Sequence, residues 1–204
     1  MDNLSNYSLN TNPMVSFLDW YEAAKNVEQN PEAMTLSTVD GQLKRPDSRT
    51  VLFKGAKESS GESCLTFYTN YLSNKGRELE VNNEATILFY WHVSKRQVRI
   101  HGKVEKMSPE DSKNYFHSRD RQSQLASFIS DQSSEIADKD SLLRKLEEAT
   151  KKYAGGEIPY PSNWGGYLFR PYEFEFFVYG DYRINDRFLF KKNKSDWTVT
   201  RLQP

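Results

Sequence analysis

Residues 85–107 read ATILFYWHVSKRQVRIHGKVEKM, and this stretch decides the class of fold. An apolar run extends from Ala85 to Trp91, and after a short polar turn apolar and polar residues alternate strictly from Gln97 to Val104. A period of two residues is typical of a strand that buries one face and exposes the other. The stretch therefore predicts two β-strands.

Similar runs lie on both sides of this stretch. On the N-terminal side the apolar segments are 33–39, 49–55 and 64–69, and their linkers contain Asp40-Gly41 and Ser60-Gly61. Such pairs suit tight turns, so these segments predict antiparallel strands joined by hairpins. On the C-terminal side, further strands are predicted by WGGYLF, YEFEFFVY, RFLFKK and DWTVTRL.

Helical signals separate these groups of strands. Asn12-Pro13 precedes apolar residues at helical spacing and predicts a first helix that ends near Glu28. Three further helices are expected, at 74–81, from Ser108 onward and at 138–154. The pattern indicates an α+β fold of about seven strands, in which a closed or nearly closed barrel would hide the strand edges. We expect one domain over residues 13–204, preceded by a mobile arm, residues 1–12.

Composition excludes several classes of partner. Lys and Arg total 28 and Asp and Glu total 28, so no excess of positive charge favours nucleic acid. The lone Cys64 lies in an apolar run, which indicates a buried and unreactive thiol. No apolar run is long enough to span a bilayer, and the first residues are polar. These features predict a cytoplasmic protein without a membrane partner.

Few motifs that identify catalytic sites are present. The three histidines, His92, His101 and His117, are scattered, so we expect no metal site. No GxSxG, GxxxxGK or GxGxxG pattern occurs, which removes the usual signatures of acyl transfer and nucleotide binding. The remaining candidates are basic and hydroxyl residues near predicted strand and helix ends: Arg49, Lys54, Lys75, Arg119 and Ser123.

These candidates are compatible with phosphate binding, because helix N-termini and guanidinium groups both bind phosphate oxygens. Isolated Lys and Arg residues are more often solvated surface, so their spacing leaves both interpretations open. Other candidates also have a structural alternative: Trp164 as a strand entry, Tyr115, Phe116 and Phe177 as core, Gln132–Ser134 as a helix cap, and Asp186 as part of a surface ion pair.

Ten short segments, taken together, resemble one known family. They are RTVLFK (49–54), FYTN (67–70), SNKGREL (73–79), FYW (89–91), RQVRIHG (96–102), YFHSR (115–119), SQLASFIS with QSS (123–134), PSNWGGY (161–167), RINDR (183–187) and the final RLQP. In this order and spacing they resemble the pyridoxine 5'-phosphate oxidase family, from about Pro13 to the end of the chain. The resemblance implies a split β-barrel of mostly antiparallel strands with inserted helices. It also implies a homodimer that binds flavin mononucleotide (FMN) in clefts shared between the subunits.

The resemblance implies roles for individual residues. The cofactor-binding positions would be Arg49, Thr50, Val51, Leu52, Phe53, Lys54, Tyr68, Thr69, Ser73, Lys75, Gln97, Gln132, Ser133, Phe177 and Arg187. The substrate-binding positions would be Lys54, Tyr115, Arg119, Ser123, Arg183 and Asn185. Arg183 and Asn185 would also be catalytic, with Arg183 orienting the C4′ carbon of the substrate toward flavin N5.

The implied activity is oxidation of pyridoxine 5'-phosphate, pyridoxamine 5'-phosphate or both to pyridoxal 5'-phosphate, a step of vitamin B6 metabolism. Hydride leaves C4′ of this small phosphorylated pyridine, and molecular oxygen reoxidises the flavin with release of H2O2. The flavin supplies the redox chemistry, whereas the protein supplies placement and electrostatics.

The sequence departs from the family pattern at four positions. Asn185 stands where the family has a histidine, Asn74 replaces a basic residue, Phe177 stands where tryptophan is common, and Asp120 adds a carboxylate near the expected substrate phosphate. Two alternatives therefore stay open. One is a related flavin oxidase that acts on a different aromatic ring, as in phenazine pathways, and the other is a non-catalytic protein that binds flavin or pyridoxal phosphate.

Overall fold

The computed structural model describes residues 7–194 and 196–204, and nine strands in these residues form one antiparallel sheet. The strand order is β2-β1-β5-β6-β7-β4-β3, and β8 pairs with β7 on one side and with β9 on the other. The strands are β1 Ala33–Val39, β2 Pro46–Leu52, β3 Ala56–Ser59, β4 Glu62–Asn70, β5 Glu84–Trp91, β6 Arg96–Lys106, β7 Trp164–Val178, β8 Asp186–Asn193 and β9 Asp196–Leu202.

Five α-helices connect these strands within the described residues. They are α1 Pro13–Lys25, α2 Asn74–Val81, α3 Pro109–Ser118, α4 Arg121–Ile129 and α5 Lys139–Lys152. In this part of the chain, none of the helices has the length and apolar character needed to cross a membrane.

Strand β7 divides the sheet, because its partners change half-way along it. It pairs with β6 along most of its length, with β4 through residues 164–169 and with β8 through residues 173–178. The β6–β7 register shifts at Gly102, where a Cβ would overlap the Arg170 carbonyl oxygen. Only glycine permits this close approach of the two backbones. The result is an open barrel of mostly antiparallel strands, which agrees with the split barrel implied by the family resemblance and is less closed than the barrel that the strand pattern predicted.

Aromatic side chains fill the interior of the barrel. The Phe17 ring of α1 contacts the rings of Phe53, Phe89 and Trp91, with centroid distances of 5.5, 4.9 and 6.2 Å. Burial of such rings supplies much of the hydrophobic free energy of folding. Phe53, a predicted cofactor residue, is 2% exposed and belongs to this core.

Several local predictions are confirmed. The bounds of β1 and α2 agree with the predicted segments, and the side chain of Asn12 caps α1 by accepting a hydrogen bond from the Met14 amide at 3.0 Å. In β6, the residues predicted to face inward are buried from Val98 to Val104. The Cys64 thiol is buried, and this burial raises its pKa.

Other predicted boundaries were wrong. Helix α1 ends at Lys25 and not near Glu28, since the Asn26 amide caps it by bonding to the Ala23 carbonyl at 3.2 Å. Strand β2 covers 46–52 rather than 49–55, because the Lys54 amide turns away to bond to Thr66 O at 2.8 Å. The segments WGGYLF and YEFEFFVY form a single strand, β7. With β3 added, the number of strands is nine instead of about seven.

Two elements were missed and one cap was misplaced. Strand β3 has four residues of which none is buried, and α4 buries only Leu125, so neither has a strong hydrophobic pattern. Helix α5 covers 139–152, and its N-cap is Asp138, which accepts a hydrogen bond from the Ser141 amide at 2.6 Å. The alternative that placed this cap at Gln132–Ser134 was therefore wrong.

Part of the predicted arm packs against the barrel. Residues 1–6 lie outside the described residues, so the prediction is visible only for 7–12. There, Leu9 is 6% exposed in the core, and the Tyr7 hydroxyl donates to Asp186 Oδ2 at 2.9 Å. The mobility of residues 1–12 stays a prediction.

Candidate functional site

A cleft of about 420 Å³ collects one group of the predicted site residues. Its lining comes from the end of β2, from β4, from the first turn of α2, from the end of α3 and from the start of α4. We name it the cleft, and its lining residues are Thr50, Val51, Leu52, Lys54, Tyr68, Thr69, Lys75, Tyr115, Arg119, Asp120, Ser123, Gln132 and Trp164. Eleven of these thirteen were predicted as cofactor or substrate positions.

Three aromatic rings form one wall of the cleft. The rings of Tyr68 and Tyr115 stack with centroids 3.7 Å apart, and the Trp164 ring stacks on Tyr68 at 5.5 Å. The Arg119 guanidinium lies over the Trp164 ring, 4.7 Å from its centroid. Burial, together with the neighbouring Tyr115, raises the pKa of Tyr68 to about 12, so its hydroxyl stays protonated at neutral pH. The wall therefore offers neutral rings, one hydroxyl hydrogen on each tyrosine and one delocalised cation.

Lys75 is a buried cation in the first turn of α2. Among the residues that the structure describes, its Nζ has only neutral hydrogen-bonding partners, at 3.4 Å from Thr69 Oγ1 and Ser73 Oγ and at 3.5 Å from Gln132 Oε1. Burial, and next the positive charge of Arg49, lower the pKa of Lys75. A buried ammonium that lacks a carboxylate partner is costly unless an anion binds to it. This arrangement is suited to a phosphate group.

Arg49 lies beside Lys75 but is neutralised within the chain. Its Nη2 lies 2.8 Å from Asp47 Oδ2 and 2.9 Å from Glu78 Oε2, and its Nη1 donates to Thr38 Oγ1 and to Leu36 O. Arg49 is absent from the cleft lining. In this structure it connects β1, β2 and α2, and so supports the elements that carry Lys75.

Two of the departures from the family pattern have local structural roles. Asp120 is the N-cap of α4, because its Oδ1 accepts a hydrogen bond from the Ser123 amide at 2.8 Å. This hydrogen bond and one from the Ser123 hydroxyl lower the pKa of Asp120. Asn74 Oδ1 accepts a hydrogen bond from Arg77 Nη2 at 2.6 Å. Asp120 thus fixes the start of the helix that carries Ser123, even though its charge lies at the cleft.

A second group of predicted residues lies elsewhere on the sheet. Gln97, Phe177 and Arg187 are opposite one another on β6, β7 and β8, and we name this set the strand row. The Arg187 guanidinium lies 5.8 Å from the centroid of the Phe177 ring. Behind the row, the buried carboxylate of Glu175 accepts hydrogen bonds from Arg187 Nε at 2.9 Å and from Arg99. None of these residues lines the cleft.

Arg183 and Asn185 lie in the turn between β7 and β8, next to the strand row and also outside the cleft lining. Arg183 is exposed and, among the residues that the structure describes, has no hydrogen bond or ion pair. The Asn185 side chain accepts a hydrogen bond from the Gly180 amide at 3.1 Å. Asp186 forms an ion pair, as its structural alternative predicted, and the partner is Arg201 of β9.

The remaining predicted positions lie at the edge of the cleft or behind it. Ser73 caps α2 by accepting a hydrogen bond from the Gly76 amide, and the Ser133 hydroxyl accepts one from the Asn74 amide at 3.3 Å. Gln132 Oε1 accepts a hydrogen bond from Thr69 Oγ1 at 3.0 Å, which attaches the segment after α4 to β4. These contacts order the neutral oxygens that surround Lys75.

Sequence reasoning missed three contributors. Trp164 was interpreted only as a strand entry, and Asp120 only as an unfavourable charge. Glu175 was not singled out, although the alternation of glutamate and phenylalanine in EFEFF indicates a strand with one charged face. Its burial depends on guanidinium groups from two neighbouring strands, and only the β6–β7–β8 pairing reveals them.

Comparison with known protein families matches two regions of the chain. Residues 21–153 match the family described as pyridoxamine 5'-phosphate oxidase. Residues 164–204 match a region described as the pyridoxine 5'-phosphate oxidase C-terminal dimerisation region. The second match includes β7, β8 and β9, and therefore the Phe177 and Arg187 positions of the strand row.

Individual relatives are similar over nearly the whole chain. The pyridoxine/pyridoxamine 5'-phosphate oxidase of Acaryochloris marina is 41% identical over 197 residues, which cover 96% of this chain and 88% of that protein. The protein of the same name from Christiangramia forsetii is 43% identical over 195 residues, which cover 94% of this chain and 88% of that protein.

Solved structures with the same fold include PhzG from Burkholderia lata 383 in complex with tetrahydrophenazine-1-carboxylic acid. That chain superposes with a TM-score of 0.88 at 26% identity, covering 96% of this chain and 94% of that one. A pyridoxamine 5'-phosphate oxidase-related, FMN-binding protein from Nostoc punctiforme superposes with a TM-score of 0.73 at 18% identity, covering 96% of this chain and all of that one, and shows the fold alone. With the family matches and the relatives at about 40% identity, the conclusion is that this chain belongs to the pyridoxine/pyridoxamine 5'-phosphate oxidase family.

Proposed function

We propose that this chain is an FMN-dependent oxidase that converts pyridoxine 5'-phosphate, pyridoxamine 5'-phosphate or both to pyridoxal 5'-phosphate, with molecular oxygen as electron acceptor and H2O2 as product. The observation that carries the proposal is the composition of the cleft. Its lining combines side chains predicted to bind the phosphate of the substrate with positions predicted to bind the cofactor. The lone buried Cys64 suits the reducing cytoplasm, where we place the activity.

The residues around Lys75 fit the phosphate of FMN. Lys75 supplies a buried positive charge, and the hydroxyls of Thr69 and Ser73 and the amide of Gln132 surround it. Arg49 adds a second positive charge nearby, although Asp47 and Glu78 share it. The phosphate would therefore pair with the Lys75 ammonium, which has no carboxylate within ion-pair distance among the described residues.

A second set of cleft residues fits the phosphate of the substrate. Lys54, Arg119, Ser123 and Tyr115 all line it, and neither cation makes an ion pair among the described residues. Burial lowers the pKa of Arg119, yet a guanidinium stays charged at neutral pH. Ser123 lies in the first turn of α4, where free backbone N–H groups also favour an anion.

We propose that a homodimer completes the site. The cleft contains none of the strand row and neither Arg183 nor Asn185, so one copy of the chain holds the predicted positions as two separate groups. Two-fold pairing through the C-terminal region would place the strand row of one subunit against the cleft of its partner. In a two-fold dimer each such contact occurs twice, so both clefts would be completed in the same way.

In this arrangement the chain binds the substrate phosphate, orients the substrate ring and shields the site from water. When bound, FMN supplies the hydride acceptor and passes electrons to oxygen. Lys54 and Arg119 fix the substrate phosphate, and the aromatic wall excludes water from one side of the cleft. Arg183, brought by the partner, lies against the substrate ring and fixes the direction in which C4′ faces.

The direct test is an anaerobic absorbance experiment on the purified protein loaded with FMN. Addition of pyridoxine 5'-phosphate or pyridoxamine 5'-phosphate should bleach the flavin, and admission of oxygen should restore its colour and yield H2O2. Arg119→Ala should weaken substrate binding by about tenfold or more, because a charged hydrogen-bonding partner of the phosphate is lost. The matched control is Arg144→Ala on the exposed face of α5, which should behave as the wild type. A protein that binds FMN but is not reduced by either compound would contradict the proposal.

A second candidate follows from the likeness to PhzG, whose ligand carries no phosphate. An unphosphorylated ring acid would offer Lys54 and Arg119 a single carboxylate, whereas a phosphate offers more charge and more acceptor oxygens, and this favours the phosphorylated substrate. The same anaerobic assay distinguishes the two functions. Faster bleaching by a reduced phenazine carboxylic acid than by pyridoxine 5'-phosphate would favour this second candidate, and bleaching by neither would favour a non-catalytic binding protein.

A further inference from the structure

The turn between β7 and β8 is closed by a side chain that departs from the family pattern. Asn185 Oδ1 accepts a hydrogen bond from the Gly180 amide at 3.1 Å, five residues earlier in the chain. Inside this loop the Ile184 amide donates to Asp181 O at 3.0 Å. The first contact spans the whole turn, so it joins the end of β7 to the start of β8.

Gly180 permits this closure because it has no side chain. A Cβ at position 180 would overlap the Ile184 carbonyl oxygen and approach the carbonyl carbon. The backbone at 180 and the backbone at 184 therefore lie closer together than any other residue at position 180 would allow. Asn185 and Gly180 form one unit that needs both residues.

The closed turn contains two consecutive residues in the left-handed region. Tyr182 has φ 55° and Arg183 has φ 63°, and neither is a glycine. Such conformations cost about 1 kcal/mol or more for each residue and persist only where the surroundings enforce them. Here the surroundings consist largely of the turn itself, since Tyr182 is 96% exposed and Ile184 is 72% exposed. The Gly180–Asn185 contact, which encloses the Ile184–Asp181 hydrogen bond, is therefore the outer restraint that keeps Arg183 in this conformation.

The hydrogen bond also fixes the orientation of the Asn185 amide. A backbone N–H can only donate, so the atom that faces Gly180 must be the oxygen. The oxygen is then engaged in the loop and does not act on a ligand.

We propose that Asn185 is a positioning residue, which keeps the 180–185 turn closed and thereby presents Arg183 in a fixed conformation to a phosphorylated pyridine ligand. The role that this inference gives to Arg183 rests on the proposed function. The closure of the turn is independent of that function. The inference replaces the expectation, taken from the family resemblance, that the side chain at position 185 acts on the substrate directly.

The closure itself is tested by hydrogen exchange of the Gly180 amide, which needs neither flavin nor substrate. Protection of about tenfold is expected in the wild type and in Asn185→Asp, because the aspartate oxygen keeps the acceptor. It should be lost in Asn185→Ala, while Asp181→Ala, which removes an exposed side chain of the same turn, should keep it. A wild-type Gly180 amide that exchanges as fast as in Asn185→Ala overturns the inference.

The action through Arg183 is tested by a double-mutant cycle on the FMN-loaded protein, with binding of pyridoxal 5'-phosphate followed by the flavin spectrum. Arg183→Ala should weaken binding by about tenfold, Asn185→Ala by about threefold to tenfold, and the double variant no more than Arg183→Ala alone. Gly180→Ala should reproduce Asn185→Ala from the other side of the contact.

Two other outcomes of this cycle would overturn the inference. Additive losses would mean that Asn185 contacts the ligand itself, and unchanged binding in Asn185→Ala or in Arg183→Ala would mean that the turn does not present Arg183. The proposed function fails separately, if the wild-type protein binds neither FMN nor pyridoxal 5'-phosphate while the Gly180 amide stays protected.

Discussion

The cleft and the strand row differ in how their cations are neutralised. In the cleft, Lys54, Lys75 and Arg119 make no ion pair among the described residues. In the strand row, Arg187 and the neighbouring Arg99 share the buried carboxylate of Glu175. The cleft cations thus have no carboxylate partner among the described residues, whereas both arginines at the strand row are held by one shared carboxylate and present an oriented surface. This difference is what we expect if the cleft binds phosphates and the row contacts the uncharged part of a ligand.

Removal of Lys75 should have the largest effect, and it tests the part of this comparison that concerns the cleft. Lys75→Ala takes away the buried charge that we assign to the FMN phosphate, and the dissociation constant for FMN should rise about 100-fold, or about 2.7 kcal/mol. Isothermal titration of the flavin-free protein measures it. The control is Lys103→Ala, which removes an exposed lysine that pairs with Glu84, and this variant should bind FMN as the wild type does. Equal affinities in Lys75→Ala and Lys103→Ala would contradict the phosphate assignment.

Removal of Glu175 should have the next largest effect, and the quantity that changes should be the free energy of unfolding. Glu175→Leu leaves Arg99 and Arg187 without their shared carboxylate, and the loss should be about 2 kcal/mol because both arginines are partly exposed to solvent. Urea unfolding measures the change. Glu173→Leu on the same strand removes longer contacts to His101 and Lys191 and should cost less than about 1 kcal/mol. Comparable losses in the two variants would show that Glu175 has no special role.

Substitutions of Asp120 should have the smallest effect. They distinguish the role of its side chain as a helix cap from the effect of its negative charge on ligand binding. Asp120→Asn keeps an oxygen that accepts from the Ser123 amide and removes the carboxylate from the cleft, so pyridoxal 5'-phosphate should bind about threefold more tightly. Asp120→Ala also removes the cap and should lower Tm by about 3 °C. A loss of affinity in Asp120→Asn would mean that the carboxylate helps to bind the ligand.

The sequence predicted those parts of the fold that local patterns determine. Alternation from Gln97 to Val104 was sufficient to identify β6, and the capping residues Asn12 and Ser108 located the starts of α1 and α3. Strand β3 and helix α4 were missed because the strand buries none of its four residues and the helix buries only Leu125. Their positions depend on the neighbours against which they pack, which no local pattern contains.

The family resemblance named most of the candidate site residues, but it did not show their distribution. Gln97, Phe177 and Arg187 are about 80 and 10 residues apart in sequence, and strand pairing alone brings them into one row. Their separation from the cleft and the burial of Glu175 depend on long-range strand pairing, whereas the closure of the turn by Asn185 depends on a contact between residues five apart that no helix or strand pattern reveals. These are also the features on which the proposed sharing of the site rests.

The most direct test of that sharing is complementation between two inactive variants. Lys75→Ala disables the cleft and Arg183→Ala disables the turn beside the strand row, so each homodimer should have little activity. In an equal mixture of subunits, half of the dimers are mixed and each has one intact site, so we predict recovery of about a quarter of the wild-type activity. Mixing Lys75→Ala with Arg119→Ala, two cleft variants, should restore nothing. An absence of recovery in the first mixture, with mixed dimers shown to form, would contradict a site shared between subunits.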